Sequence, residues 1–171
     1  MLCALALAGV AGCVFWRKPP LDRPALVNPA LDDRLAWLLS FDVPLIGADS
    51  LARAGDVLTF DVRTPEEFAV SHIAGAVRVD PDGELPGWLD TVARDRPIAL
   101  YCSVGYRSER LGRRLRGRGF TQVSNVYGSL FDWVARGYGL VDTAGRPTRR
   151  LHVYNRRWGE LVTAPDVEEV W

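Results

Sequence analysis

The sequence predicts an α/β fold in which a mainly parallel, five-stranded sheet carries helices on both faces. Three observations lead there. From Phe41 onward, short apolar runs alternate with amphipathic segments, the pattern of strand–helix–strand units. The apolar runs are continuous, as expected of strands covered on both sides. No segment repeats within the 171 residues, so the chain suits one ordinary core and excludes a tandem pair of domains.

The elements follow in order. Leu2 to Trp16 is an uncharged, mostly apolar run closed by Arg17-Lys18. Its length of about 15 residues is short of the ~20 a membrane span takes and suits the apolar region of a signal peptide. Val10-Ala11-Gly12-Cys13 is similar to a bacterial lipobox, which makes Cys13 a lipidation candidate. Residues 1–16 are therefore expected to be a signal or lipoprotein leader, or a membrane anchor. The first reading gives an exported, periplasmic-side protein held at the membrane by its N-terminus. In the second, Arg17-Lys18 favours a cytoplasmic-facing domain. Residues 17–40 form a linker: Pro19, Pro20, Pro24 and Pro29 stiffen it, and Leu31, Leu35, Leu38 and Leu39 at helical spacing predict a short amphipathic helix on the domain edge.

Strands are predicted at Val43–Ile46, Val57–Asp61, Ala76–Val79, Ile98–Cys102 and Gln122–Asn125, and helices at Asp49–Arg53, Pro65–Ser71, Leu85–Val92, Arg107–Arg118 and Ser129–Arg136. Thr64 can cap the helix that Pro65 opens. Gly117 and Gly119 can end the long basic one.

Charge and cysteine usage narrow the function. Lys plus Arg equals Asp plus Glu at 21 each, so net charge offers no argument for nucleic-acid binding. Charge is uneven, however: Arg107 to Arg118 holds six arginines against the single acid Glu109. That face suits an anionic substrate or simple solvation. Of the three cysteines, Cys3 and Cys13 lie in the leader, leaving Cys102 without an intrachain partner and excluding a disulfide framework for the folded part. No CxxC pair or Cys/His cluster suggests zinc, and no cofactor is expected.

A solitary cysteine is usually a small buried hydrophobe, but the place of Cys102 argues otherwise. It ends a buried strand and opens the loop before the Arg107 helix. In open parallel sheets the ligand crevice lies outside the carboxyl ends of the strands. Backbone N–H groups at such a loop and the helix dipole can hold an anion. Gly105 can take positive φ there, and Arg107 close by should make the thiol more acidic.

The loop Cys102-Ser103-Val104-Gly105-Tyr106-Arg107-Ser108 resembles the active-site loop of the rhodanese family. Asp61-Val62-Arg63-Thr64-Pro65-Glu66-Glu67-Phe68, with His72-Ile73-Ala74-Gly75-Ala76, is similar to the family's second signature. Gly119-Phe120 and Asn125-Val126-Tyr127-Gly128-Ser129 with Trp133 match its closing strand and turn. The resemblance assigns a rhodanese-like domain to residues 41–137 and leaves residues 138–171 as a C-terminal extension. It implies that Cys102 takes the outer sulfur of thiosulfate or a persulfide donor and passes it to a thiol or cyanide. Ser103, Val104, Gly105, Tyr106, Arg107 and Ser108 would form the substrate-binding loop, with Arg107 on the donor's anionic end. Asp61 and Arg63 would support that loop from the neighbouring strand. The implied partners are a small anionic sulfur donor and a thiol acceptor, including a protein one.

His72 reads as structural, because rhodanese-like domains do not rely on a histidine base. Cysteine phosphatases share the thiolate cradle but place five residues between cysteine and arginine; four stand here, Ser103 to Tyr106, and the smaller ring favours sulfur. A non-catalytic binding or sulfur-carrier module at the membrane is the alternative. In the extension, Tyr154 and Trp158 are spaced to pack together or back onto the domain, with a partner surface as the sharper reading.

Overall fold

The computed structural model describes residues 19–171; the leader, with Cys3, Cys13 and Arg17-Lys18, lies outside the described residues. The expected sheet is present. Strands β1 (Leu45–Ile46), β2 (Leu58–Asp61), β3 (Val77–Arg78), β4 (Ile98–Tyr101) and β5 (Val123–Val126) line up in the order β1-β5-β4-β2-β3. Every pairing in that sheet is parallel. All five carboxyl ends therefore share one edge, and the chain after the central strand β4 emerges there.

Strand alternation sorts the core into two layers. On β4, Ile98 and Leu100 join Phe60, Val62, Val123, Leu111 and Leu115 on one face. Ala99 and Tyr101 point the other way, into a cluster with Leu31, Leu35, Leu51, Leu130 and Phe131. The first face is covered by α4 (Tyr106–Gly117) and a 3₁₀ turn at Gly87–Thr91. The second is covered by α1 (Pro29–Leu38), α2 (Ala48–Arg53) and α5 (Ser129–Ala135). Helix α3 (Pro65–Val70) is capped by Thr64 as expected, and the cap is a reciprocal one: the Thr64 hydroxyl accepts from Glu67 N–H while the Glu67 carboxylate accepts from Thr64 N–H.

One expectation is corrected. The helix predicted at Leu85–Val92 is the 3₁₀ turn Gly87–Thr91, because Pro86 disfavours a helical conformation at Leu85 before it and Gly87 is a poor helix former. The helix carrying Leu31 and Leu35 is amphipathic as expected, and both leucines are fully buried in the core cluster.

The extension folds back. β6 (Leu140–Val141) pairs antiparallel with β7 (Pro147–Thr148), and Val141 exchanges backbone hydrogen bonds with His72. β8 (Arg150–His152) pairs parallel with β9 (Glu168–Val170), with the one-turn α6 (Arg156–Gly159) between them. Leu140, Leu151 and Val153 are buried in the same cluster as Leu35 and Phe131. Among the described residues, no helix is long and apolar enough to cross a membrane.

Candidate active site

Cys102 follows the last residue of β4, and the loop it opens turns straight into α4. Gly105, the cap of that helix, has φ of +119°, a conformation L side chains rarely adopt. That turn aims Gly105 N–H at Cys102 Sγ, 3.1 Å away. Asn125, from the end of β5, braces the loop by donating from Nδ2 to the Gly105 carbonyl at 2.9 Å. The Ser108 hydroxyl donates to Asn125 Oδ1 at 2.7 Å and lies 3.8 Å from the sulfur. The loop's other side rests on α5. Cys102 N–H donates to Ser129 Oγ, and Leu130 and Phe131 N–H donate to the Cys102 and Ser103 carbonyls.

Burial pushes the Cys102 thiol up, since a thiolate is poorly solvated there. The nearby Arg107 charge and the backbone N–H groups of Gly105, Ser108 and Val104 act against burial and together win, so the thiol is more acidic than a free one.

Arg107 itself is committed. Its guanidinium forms a fork with the Glu67 carboxylate, at 2.6 Å from Nη1 and 2.7 Å from Nη2, and Nη2 also donates to Ser103 Oγ at 3.2 Å. Glu67 is 2% exposed. Burial raises its pKa, but the Arg107 fork and the Thr64 N–H outweigh that and hold it down to about 2. The positive charge beside the sulfur is therefore balanced within the protein.

Asp61 and Arg63 lie one strand away and fully buried. The Arg63 guanidinium binds the Asp61 carboxylate through Nε and Nη2, at 2.9 and 2.6 Å, and also donates to the Ser71 carbonyl. They hold the β2–α3 turn, and through it α3, where Glu67 stands. The His72 ring is occupied elsewhere: Nδ1 bonds the Phe68 carbonyl at 3.1 Å and the ring stacks on Phe68 at 3.8 Å.

Above the sulfur lies a pocket of about 230 Å³ whose walls are Leu38, Val104, Tyr106, Tyr154 and Trp158, with Cys102, Ser103 and Arg107 at its base. The structure thus brings the predicted loop residues together and places the aromatic pair of the extension over them. Reading the sequence missed Glu67, Asn125 and Ser129 as site residues. The Thr64-x-x-Glu67 cap was readable, but its second partner stands 40 residues further on.

Several arginines of α4 and its C-cap are held by partners on the protein. Arg110 pairs with Asp82, Arg113 with Asp42 and Glu109, and Arg118 with Asp90. Arg114 donates to the Pro81 and Gly83 carbonyls. The face is a braced helix surface.

A family model described as the rhodanese-like domain matches residues 48–136. A sulfurtransferase of Allochromatium vinosum is 33% identical over 95 residues, covering 56% of this chain and 88% of that protein. A tRNA uridine(34) hydroxylase of Sodalis glossinidius is 28% identical over 170 residues; these cover 91% of this chain but 46% of that protein, so the chain spans less than half of it. Among solved structures, a rhodanese-related protein of Thermoplasma volcanium is similar, with 27% identity, a TM-score of 0.51, and coverage of 57% of this chain and 97% of that one.

Proposed function

The chain belongs to the rhodanese-like family, and from that premise we propose that it is a sulfurtransferase working through a persulfide on Cys102. The observation that carries this reading is the Cys102 sulfur held under Gly105 N–H at the head of α4, made more acidic by its surroundings and opening into a pocket. In the loading step the thiolate attacks the outer sulfur of the donor. A new bond forms to Sγ, the donor's sulfur–sulfur bond breaks, and its electron pair leaves on sulfite from thiosulfate, or on a thiolate from an organic persulfide. In the second step a thiol or cyanide attacks that outer sulfur, and Cys102 returns as thiolate. The backbone N–H groups around the sulfur favour the anion in both steps. The remaining loop residues shape the cradle, and Asp61 and Arg63 position it.

The test is sulfur transfer by the full chain from thiosulfate and from a persulfide donor to cyanide, beside Cys102→Ser, with mass spectrometry of Cys102. One added sulfur on Cys102 and thiocyanate production, both lost in the variant, are expected. Loading of Cys102 rises with pH as the thiol ionises, with a midpoint below the free-thiol value of about 8.5. An unmodified Cys102 and no thiocyanate from either donor would leave the binding-module reading in its place.

We also propose that residues 1–16 hold the protein at a membrane, exported and lipidated at Cys13. This rests on the leader sequence alone. Lipid incorporation lost in Cys13→Ser, with the protein released from the membrane fraction, supports it; an unlipidated protein in the soluble fraction opposes it.

A further inference from the structure

The pocket over Cys102 is built in part from outside the family match, which ends at residue 136. Tyr154 and Trp158 belong to the extension, and the local chain fixes both. Val153 is fully buried and its N–H donates to the Val170 carbonyl, which anchors the turn. Tyr154 takes φ of +67°, a left-handed conformation costly for a bulky residue. Its N–H donates to His152 Nδ1 at 3.1 Å. The Asn155 side chain caps α6 by accepting from Trp158 N–H at 3.1 Å. The two rings, with Leu38 of α1, give the site an apolar wall. The Arg107 guanidinium carbon lies 5.8 Å from the Tyr154 ring centroid, so the ring lies against that charge.

Charge and size then select the ligand. Among the described residues that line the pocket, Arg107 is the charged one, and Glu67 balances it; Arg34 lies against the Trp158 ring, its guanidinium carbon 6.0 Å from the centroid. A dianion approaching a thiolate here meets little net positive charge, whereas an apolar group gains by leaving water. The volume lies below the ~300–1,000 Å³ typical of small-molecule sites, which suits one ring or a short alkyl chain.

We propose that the thiol partner of this site is a small organic thiol with an apolar or aromatic body, and that Tyr154 and Trp158 are the residues that select it. The proposal rests on the sulfur-transfer reading above. In the step concerned, the thiol sulfur attacks the outer sulfur of the Cys102 persulfide. The bond between that sulfur and Sγ breaks, its electron pair returns to Sγ as thiolate, and the thiol's proton ends on the product persulfide. The transferred sulfur keeps its oxidation state, so no oxidant is needed.

The test loads the full-length protein with sulfur from inorganic polysulfide and follows its discharge to benzyl mercaptan, to 2-mercaptoethanesulfonate, and to cyanide as the acceptor that needs no pocket. Wild type should prefer benzyl mercaptan over the sulfonate by about tenfold or more in kcat/KM at equal thiolate concentration. In Tyr154→Ala and Trp158→Ala that ratio should fall toward one, and Trp158→Phe should restore most of it. Tyr154 is 59% exposed, so its truncation leaves the core intact and isolates the effect on selectivity. Equal rates with the two thiols in wild type, or a preference that survives both alanine variants, overturns the proposal while cyanide discharge continues. Loss of cyanide discharge in wild type removes the parent reaction, and the proposal with it.

Discussion

Glu67 shows how one side chain sets the chemistry beside the sulfur without touching it. Its carboxylate takes both ends of the Arg107 fork and faces the Ser103 hydroxyl at 3.4 Å, so the guanidinium stays in place while much of its charge is offset. In Glu67→Gln the amide accepts only at its oxygen, and Arg107 acts on the thiolate with less compensation. The Cys102 pKa should fall further, seen as a shift to lower pH in the rate of alkylation by iodoacetamide; an unchanged profile would show that Glu67 only holds the arginine in position. The same carboxylate makes the fold acid-sensitive. Because its folded pKa is lowered to about 2, its contribution is fully present above the unfolded value of about 4.3 and is lost as pH falls toward 2. That contribution is on the order of 3 kcal/mol. Chemical denaturation across pH 5 to about 2 should show wild type losing stability faster than Glu67→Gln, which lacks the titrating group.

At the scale of elements, the site is a meeting of three chain segments at one sheet edge. β4 delivers Cys102, α3 delivers Glu67, and the β5–α5 turn delivers Asn125 and Ser129. What the sequence made legible was local. Apolar runs marked all five strands within a residue or two, Thr64-Pro65 marked the start of α3, and Gly105 marked the turn into α4. What it hid was partnership across the sheet: Asn125 contacts Gly105 only because β5 lies beside β4, and strand order is not written in local pattern. The partners of α1 were hidden for a related reason. Leucines at helical spacing show that a face is buried but not against what, and here Leu31 and Leu35 belong to the same core cluster as Leu130 and Phe131. Leu35→Ala should therefore cost about 2–5 kcal/mol, as for a fully buried leucine, measured as a drop in denaturant midpoint at constant slope. A cost below about 1 kcal/mol would show that α1 adds little to the core.

For the whole molecule, the family match and the physical core have different boundaries. The match stops at residue 136, yet Leu140, Leu151 and Val153 are 3%, 0% and 0% exposed, inside the cluster that covers one sheet face. Asn28 Nδ2 donates to the Leu161 carbonyl at 2.8 Å, joining the segment before α1 to the end of the extension. A chain ending at Gly137 would lose these three side chains and bare apolar atoms of the cluster they belong to. At about 1.5–3 kcal/mol for each fully buried aliphatic side chain, the loss reaches several kcal/mol. That is a large share of the 5–15 kcal/mol by which ordinary domains are stable. The truncated chain should therefore unfold at markedly lower denaturant, bind an apolar dye, and tend to associate through the uncovered face. Thiosulfate turnover of any truncated protein that stays folded separates the two roles of the extension, because the cradle of Gly105, Asn125 and Ser129 lies wholly before residue 137. Transfer to cyanide by that protein, with loss of preference among thiols, would mean that the extension supplies stability and selection while the sulfur chemistry resides in the sheet edge. An unchanged denaturant midpoint would instead make residues 138–171 an appendage and leave the core complete without them.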